Sequence, residues 1–270
     1  MTIFNYVLST PMHFLLVHPK NISKPAQKIH HRKLTEKIHR HPLIRTPNDI
    51  YATSAHSLYI TNDHHHRDGK LRTLEDLGFN LTPWANIIHL TLASHTTTSS
   101  SSGVHATIAL PAIQNPNGLG HGKDANEILI NRAAAGVLEI AHPTAPNDNS
   151  HLEITHSIQV LSTIDNPTYF HDPYAKATNR DASGYVLAGL PRASSFPSAQ
   201  DPVVVWMVRR SADGGFEKKK IFQDDGRAIS TASTAVIVAI DPEGNGGRKQ
   251  GWLFVTGPMS LGVVCSRIDL

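Results

Sequence analysis

Three short Asn/Asp motifs are the part of the sequence best suited to chemistry. They are Tyr59-Ile60-Thr61-Asn62-Asp63-His64, Asn115-Pro116-Asn117-Gly118-Leu119-Gly120 and Ser162-Thr163-Ile164-Asp165-Asn166-Pro167, and each ends a strand-like run. Amide and carboxylate oxygens are the hard ligands that Ca²⁺ prefers. If the three strand ends converge, they predict a calcium cage charged by Asp63 and Asp165. Alternatively, these residues only mark turns after strands, which the spacing alone favours.

The elements that must position these motifs are short strands. Apolar residues fall in runs of five to eight bounded by turn residues, which predicts an all-β chain. Short helical turns are predicted at 70–77 and 131–135. The candidate strands are 50–52, 57–61, 87–92, 104–110, 127–131, 136–141, 154–161, 185–188, 203–209, 219–222, 235–240, 252–256 and 263–268.

About a dozen short strands are typical of a sandwich, a barrel or a propeller. A four-stranded propeller blade takes about 40–50 residues, so the segment 46–270 has room for four or five blades. No repeat in the sequence chooses the propeller on its own. The segment 1–45 is basic and rich in histidine, and it forms a separate, divergent N-terminal region.

Composition excludes several classes of function. The chain has 25 basic and 22 acidic residues, a net charge of +3, which is not the pattern of a dedicated nucleic-acid binder. The single cysteine, Cys265, excludes an internal disulfide and a Cys-based zinc cluster. No apolar run is long enough to predict a transmembrane helix. The first 17 residues lack the basic region and the cleavage site of a signal peptide, so no compartment is predicted.

Histidine is the unusual residue in the composition, with 18 copies in the chain. The run His64-His65-His66 suggests weak binding of Zn²⁺, Ni²⁺ or Cu²⁺. Three consecutive side chains cannot all reach one ion from a strand, where they alternate between faces. We therefore expect His65 and His66 to be exposed loop residues and His64 to point at the preceding Asn/Asp pair.

The motifs, taken in order, resemble the paraoxonase and arylesterase family. The resemblance runs from about His41 to Leu270, and Thr73-Leu74-Glu75-Asp76-Leu77-Gly78-Phe79-Asn80 with Trp84 looks like the fungal branch. The five motifs that carry it are Pro47-Asn48-Asp49-Ile50, Thr61-Asn62-Asp63-His64, Asn117-Gly118 followed by Glu127-Ile128-Leu129-Ile130, Asp165-Asn166, and Leu253-Phe254-Val255-Thr256-Gly257.

The resemblance implies a six-bladed β-propeller with a catalytic and a structural Ca²⁺ in its central tunnel. Members of the family hydrolyse lactones, aryl esters and, weakly, organophosphates. Carried over motif by motif, the resemblance makes Asn62, Asn117, Asp165 and Asn166 ligands of the catalytic ion and Asp63 a ligand of the structural ion. Such an ion polarises a carbonyl for attack by water, so no nucleophilic serine is required. Ser233 and Ser260 accordingly lie outside any Gly-x-Ser-x-Gly motif.

The sequence departs from the family pattern at its start. The adjacent Glu-Asp pair of the first blade and the Pro-His-Gly motif of the second are missing upstream of Asn48. Phe14-Leu15-Leu16-Val17-His18-Pro19 resembles the strand that carries the second catalytic histidine, which implies His18 as a general base. The other interpretation is that His18 is an ordinary strand or loop histidine. The prediction is therefore about four blades, with the first two missing or degenerate.

Three functions follow from these patterns. The first is a calcium-dependent hydrolase acting on a small ester or lactone. The second is an inactive propeller-derived binding or scaffold protein, or a gene fragment, that keeps part of the calcium site for stability. The third is a transition-metal binder that uses His64, His65 and His66.

Overall fold

The residues that the structure describes fold into four antiparallel β-sheets that follow one another along the chain, which confirms the all-β prediction. The computed structural model describes residues 41–78, 82–92, 103–146, 148–191 and 200–270, so His18 and the rest of 1–40 lie outside the described residues. Sheet 1 contains β1 (Pro47–Ala52), β2 (Ser57–Asn62), β3 (Ala85–Leu92) and β4 (Val104–Ile113). Sheet 2 contains β5 (Pro116–His121), β6 (Ile128–Arg132), β7 (Val137–Ala145) and β8 (Asp148–Gln159). Sheet 3 contains β9 (Thr163–Phe170), β10 (Gly184–Leu190), β11 (Val203–Arg210) and β12 (Phe216–Asp224), and sheet 4 contains β13 (Thr234–Ile240), β14 (Gln250–Thr256) and β15 (Val264–Asp269).

The strands of each sheet pair in chain order, so every sheet is one continuous stretch of sequence. The first strands of successive sheets lie side by side, with β1 against β5, β5 against β9 and β9 against β13. This row of first strands brings together residues that are more than a hundred positions apart in sequence.

Successive side chains of a strand point to opposite faces of its sheet, and this alternation builds the core between neighbouring sheets. On β6, Ile130 packs towards sheet 1, whereas the adjacent Leu129 packs towards sheet 3. On β10, Leu187 faces sheet 2 and the adjacent Val186 faces sheet 4. These side chains are almost fully buried, and both faces of the inner sheets are therefore apolar, as their continuous hydrophobic runs require.

The helices in the described part of the chain are short. They are α1 (Gly69–Gly78), α2 (Ala175–Thr178) and a 3₁₀ turn (Glu243–Asn245). The predicted helix at 70–77 is confirmed, but the one at 131–135 is wrong. There the chain leaves β6 through a tight turn that ends at Gly136 with φ of 65°, a conformation that glycine adopts readily. No helix among the described residues is long and apolar enough to cross a membrane.

Two strands, β5 and β9, were missed by the sequence prediction. Their first residues are rich in Pro, Asn and Gly, which were interpreted as turns. These are the strands that carry Asn117, Asp165 and Asn166, so these residues lie near the starts of first strands and not at the ends of strands.

Candidate functional site

Asn117, Asp165 and Asn166 come together where β5 meets β9. The contact depends on Gly118, because a Cβ atom built there would lie 2.5 Å from the Asn166 Cα and 2.5 Å from the Asp165 carbonyl oxygen. The backbone N–H of Asn166 donates to the Ser233 carbonyl at 2.9 Å, and its Nδ2 donates to Thr234 Oγ1 at 3.0 Å. Asn166 thus links the β5–β9 contact to sheet 4.

Replacing Gly118 by alanine is expected to separate β5 from β9, because both close atoms belong to the backbone and cannot rotate away. We expect a loss of about 1–3 kcal/mol in the free energy of unfolding, measured by urea denaturation. Gly244→Ala is the matched control, since a Cβ there meets no atom within 4 Å. Equal stability of the two variants would contradict the close approach.

Sheet 1 contributes Asp49 and Thr61 to the same region. The Asp49 Oδ2 atom accepts from the backbone N–H of Leu119 at 2.8 Å, and its own N–H donates to Thr61 Oγ1 at 2.9 Å. The Thr61 hydroxyl donates in turn to the carbonyl oxygen of Asn117 at 2.8 Å. Asp49 is buried, so its carboxylate is held rigidly beside the start of β5. We call Asp49, Asn117, Asn131, Asp165 and Asn166 the oxygen cluster.

Two buried amide oxygens of the oxygen cluster lack a donor. Asn131, on β6, is fully buried and donates from Nδ2 to the Asp165 carbonyl at 2.5 Å. Among the described residues, neither its Oδ1 nor the Oδ1 of Asn117 accepts a hydrogen bond. A buried carbonyl oxygen without a partner costs about 1–3 kcal/mol, and a ligand with positive charge is one kind of partner that removes this cost.

The ionisation of Asp165 is a second feature that favours a bound cation. Burial and, to a lesser extent, repulsion by the nearby Asp49 carboxylate together raise the pKa of its carboxyl group to about 7. Two acidic side chains near two unsatisfied amide oxygens concentrate negative potential at one place. A cation bound there would relieve both the repulsion and the missing hydrogen bonds.

The raised pKa of Asp165 predicts how the stability of metal-free protein depends on pH. Below about pH 4 the group is protonated in both folded and unfolded chains and contributes nothing. As the pH rises from about 4 to 7, the unfolded chain releases the proton and the folded chain retains it, so the free energy of unfolding falls. We expect a loss of roughly 2–4 kcal/mol, measured by urea denaturation in chelator. Asp165→Asn should flatten this slope, and an unchanged slope would contradict the assignment.

The side chains of Asn62 and Asp63 contact residues that do not belong to the oxygen cluster. Asn62 Oδ1 accepts from the backbone N–H groups of Arg45 and Thr46, and its Nδ2 donates to Leu43 O and Asn86 Oδ1. The hydrogen bonds of this amide therefore hold the segment before β1 and the start of β3. The Oδ1 atom of Asp63 lies 3.0 Å from Nδ1 of His64, and His64 in turn contacts Asp76 of α1. Their roles as calcium ligands stay predictions.

The three consecutive histidines have separate partners. His64 lies between Asp63 and Asp76, 3.1 Å from the latter, which agrees with the expected orientation towards the Asn/Asp pair. Glu75 is buried and accepts from the backbone N–H groups of His65 and His66, and these bonds outweigh its burial and lower the pKa of Glu75. Because α1 covers this loop, His65 and His66 are half-buried, and the prediction that they are exposed was wrong.

The oxygen atoms of the oxygen cluster are suitable ligands for a hard cation. Among the described residues, no group of three or more His, Cys, Asp or Glu side chains is placed to hold a metal ion. A cation at the oxygen cluster would therefore need amide oxygens beside the two carboxylates. That set of oxygen ligands suits Ca²⁺ better than Zn²⁺ or Cu²⁺.

Sequence reasoning missed Asp49 and Asn131 as members of the oxygen cluster. The signal for Asp49 was the repeated Pro-Asn dipeptide, since Pro47-Asn48 begins β1 as Pro116-Asn117 begins β5. Aligning the two starts would have placed Asp49 beside the predicted ligands. Asn131 carries no such signal, because its position follows from the pairing of β6 with β5.

Comparison with known proteins gave no relative that could assign the site. No family model matches the chain, and no curated protein matches it. The function is therefore argued from the oxygen cluster and from the resemblance of the sequence motifs.

Proposed function

We propose that the four sheets are four blades of a β-propeller of the six-bladed type. Support comes from their chain-order antiparallel pairing and from the row formed by β1, β5, β9 and β13. In a propeller the first strand of each blade lines the central axis, where ligands bind. The oxygen cluster includes residues of three first strands, β1, β5 and β9.

We further propose that the oxygen cluster holds Ca²⁺ through Asn117, Asp165 and Asn166, with Asp49 adding charge. The observation that carries this proposal is the pair of buried, donor-free amide oxygens on Asn117 and Asn131 beside Asp165. Neutral amides and carboxylates without sulfur or imidazole are the ligands of hard cations. Asp49 and Thr61 hold β1 against β5, which keeps the amide of Asn117 in place.

The activity proposed for this site is hydrolysis of aryl esters or lactones by water. A bound Ca²⁺ supplies Lewis acidity to a carbonyl oxygen and neutralises the negative charge that develops there. The contribution of the chain is to orient the amide oxygens of Asn117 and Asn166 and to maintain the negative charge of Asp165. His18 remains the predicted general base.

The direct test is hydrolysis by the purified full chain. We expect turnover of an aryl acetate or a γ-lactone that a calcium chelator abolishes and that added Ca²⁺ restores. Circular dichroism in chelator shows whether the sheets survive. A folded protein without chelator-sensitive turnover would contradict the proposed hydrolase.

A second candidate is a calcium-binding scaffold without turnover. It is favoured by the hydrogen bonds of Asn117, Asn131 and Asn166, which among the described residues join these side chains and their backbone to Thr side chains and backbone groups. This candidate predicts that Ca²⁺ raises the melting temperature by linkage while no substrate is hydrolysed. Calorimetry with and without Ca²⁺, run beside the hydrolysis assay, separates the two.

A further inference from the structure

Ser57 and His89 form a hydrogen-bonded pair in sheet 1, away from the oxygen cluster. Ser57 begins β2, and its Oγ atom lies 2.8 Å from Nε2 of His89 on β3. Thr61, which contacts Asn117, lies four residues further along β2, about 13 Å away. A serine hydroxyl within hydrogen-bond distance of an imidazole nitrogen is the arrangement that nucleophilic catalysis by serine requires.

The register of sheet 1 places the two side chains on the same face. Tyr59 pairs with His89 across β2 and β3, and Ser57, two residues before Tyr59, therefore shares its face. The ring of Tyr59 lies against that of His89, with 5.3 Å between their centroids. His89 is only 7 % exposed, whereas Ser57 is half-buried. The imidazole is thus fixed in a buried position, and the hydroxyl beside it stays within reach of solvent.

The hydrogen bonds around Ser57 direct its proton towards His89. Asn149 on β8 donates from Nδ2 to Thr53 Oγ1 at 3.5 Å, and the Thr53 hydroxyl donates to Ser57 Oγ at 2.8 Å. Because Ser57 Oγ already accepts from Thr53, its own proton is free to point at Nε2 of His89. An imidazole that accepts at Nε2 carries its proton on Nδ1, which is the tautomer of a general base towards the serine.

The charge of His89 is set by its burial and by the titratable groups around it. Burial is the largest effect and lowers the pKa of His89 below the ordinary value of a histidine. The carboxylate of Asp148 on β8 raises this pKa, and His105 on β4 lowers it. Burial also raises the pKa of Tyr59, so that the phenol facing the imidazole is neutral. His89 is therefore predominantly neutral near neutral pH, the state in which it can take a proton from Ser57.

A buried hydroxyl on the same face has no hydrogen-bond partner. Thr107 on β4 pairs with His89 across β3 and β4, so their side chains lie next to each other on one face. The Oγ1 atom of Thr107 is buried and, in the part of the chain that the structure describes, forms no hydrogen bond. Leaving a buried hydroxyl unsatisfied is unfavourable, and the carbonyl oxygen of a bound ester is one partner that it could donate to.

We propose that Ser57 is a nucleophile activated by His89 and that this pair reacts with activated esters at a site separate from the oxygen cluster. With an aryl acetate, Ser57 Oγ attacks the carbonyl carbon while its proton passes to His89 Nε2. The bond to the aryl oxygen then breaks, and His89 returns the proton to the departing aryloxide. The products are a phenol and an acetyl ester of Ser57, which water hydrolyses to acetate. Thr107 positions the carbonyl oxygen, and the step does not depend on the Ca²⁺ of the proposed function.

Labelling of the purified full chain by a fluorophosphonate tests the proposal, in Ca²⁺ and in chelator. In this reaction the bond from Ser57 Oγ to phosphorus forms, the P–F bond breaks, and the proton taken by His89 leaves with fluoride. Peptide mass spectrometry should find the phosphonyl group on Ser57 under both conditions.

Matched substitutions separate a reactive pair from a structural hydrogen bond. His89→Gln should slow labelling at least ~100-fold, because glutamine can accept the hydrogen bond but cannot take up the proton. Thr107→Val keeps the shape of the side chain and should slow labelling about tenfold, as expected for the loss of one hydrogen bond. Ser54→Ala is the control, because Ser54 is an exposed serine of the same hairpin, and we expect no change. Circular dichroism checks that each variant is folded.

The pH dependence of labelling is a second measurement, and it can be made on the unsubstituted chain. The rate should rise with pH as His89 loses its proton and reach a plateau by neutral pH, because burial lowers the pKa of His89. Asp148→Asn should shift this rise to lower pH, since the carboxylate no longer raises that pKa. A structural hydrogen bond would produce no such shift.

The outcomes distinguish this proposal from the proposed function. Labelling of Ser57 that follows this pH profile and is slowed by His89→Gln supports the proposal, even in a chain without chelator-sensitive turnover, which would contradict only the calcium-dependent hydrolase. Folded protein that is not labelled at Ser57 overturns it. Equal labelling rates in the unsubstituted chain and in His89→Gln also overturn it.

Discussion

Replacing Asp165 by alanine is expected to abolish the proposed calcium-dependent hydrolysis while leaving the four sheets folded. The substitution removes a carboxylate that we assign to the cation, and losing one charged ligand should lower turnover at least ~100-fold. Asp165 also repels Asp49, so its removal should raise the melting temperature of calcium-free protein at pH 8. An essential residue that destabilises the empty fold is typical of a binding site.

The assay for this prediction compares hydrolysis rates and melting curves in chelator and in excess Ca²⁺. Asp225→Ala is a suitable control, because Asp225 is exposed and forms an ion pair with the exposed Arg227. Asp165→Ala protein that retains full chelator-sensitive activity would show that the cation is held elsewhere. Loss of the calcium-induced rise in melting temperature would show that binding itself depends on Asp165.

The second large effect is expected at Lys249, which forms a buried ion pair with Asp172. Their Nζ and Oδ2 atoms are 2.5 Å apart, and the side chains are only 6 % and 0 % exposed. Asp172 also accepts from the backbone N–H groups of Tyr174 and Ala182. Lys249→Met leaves this carboxylate buried without its cation, so we expect a loss of about 3–5 kcal/mol in the free energy of unfolding.

Urea denaturation with matched variants tests the role of Lys249. Arg227→Met removes a cation from an exposed pair and should change stability by no more than about 0.5 kcal/mol. Adding Asp172→Asn to Lys249→Met should recover part of the loss, because the uncompensated charge is then gone. If Lys249→Met is as stable as Arg227→Met, the pair contributes nothing and the prediction is wrong.

The strands could be predicted from the sequence where β-branched and aromatic runs stand between turn residues. The predicted runs 203–209 and 235–240 lie within a residue of β11 and β13. The sequence prediction failed for β5 and β9, because both strands contain Asn and Pro, which are typical of turns, and β5 also contains glycine. Gly118 and Gly120 allow the backbone of β5 to approach β9, and the same glycines imitate a turn in sequence.

The oxygen cluster could be predicted only in part. Asn117, Asp165 and Asn166 were identified because their residue types suit calcium, and the structure brings them together. Asn62 has the same residue type, but Pro47 pairs with it across β1 and β2, so its amide turns to the backbone before β1. Which of two nearby Asn/Asp pairs faces a shared site depends on strand register, which composition does not encode.

Each sheet is formed by one continuous stretch of sequence, and this affects how such a protein can evolve. Since strands pair in chain order, a genetic deletion that ends between two sheets removes whole packing layers and leaves every remaining ladder of hydrogen bonds intact. Architectures built of consecutive units tolerate gain and loss of a unit more readily than folds with interleaved strands. A shortened gene of this type can therefore still encode ordered sheets, and selection can act on what the surviving layers bind.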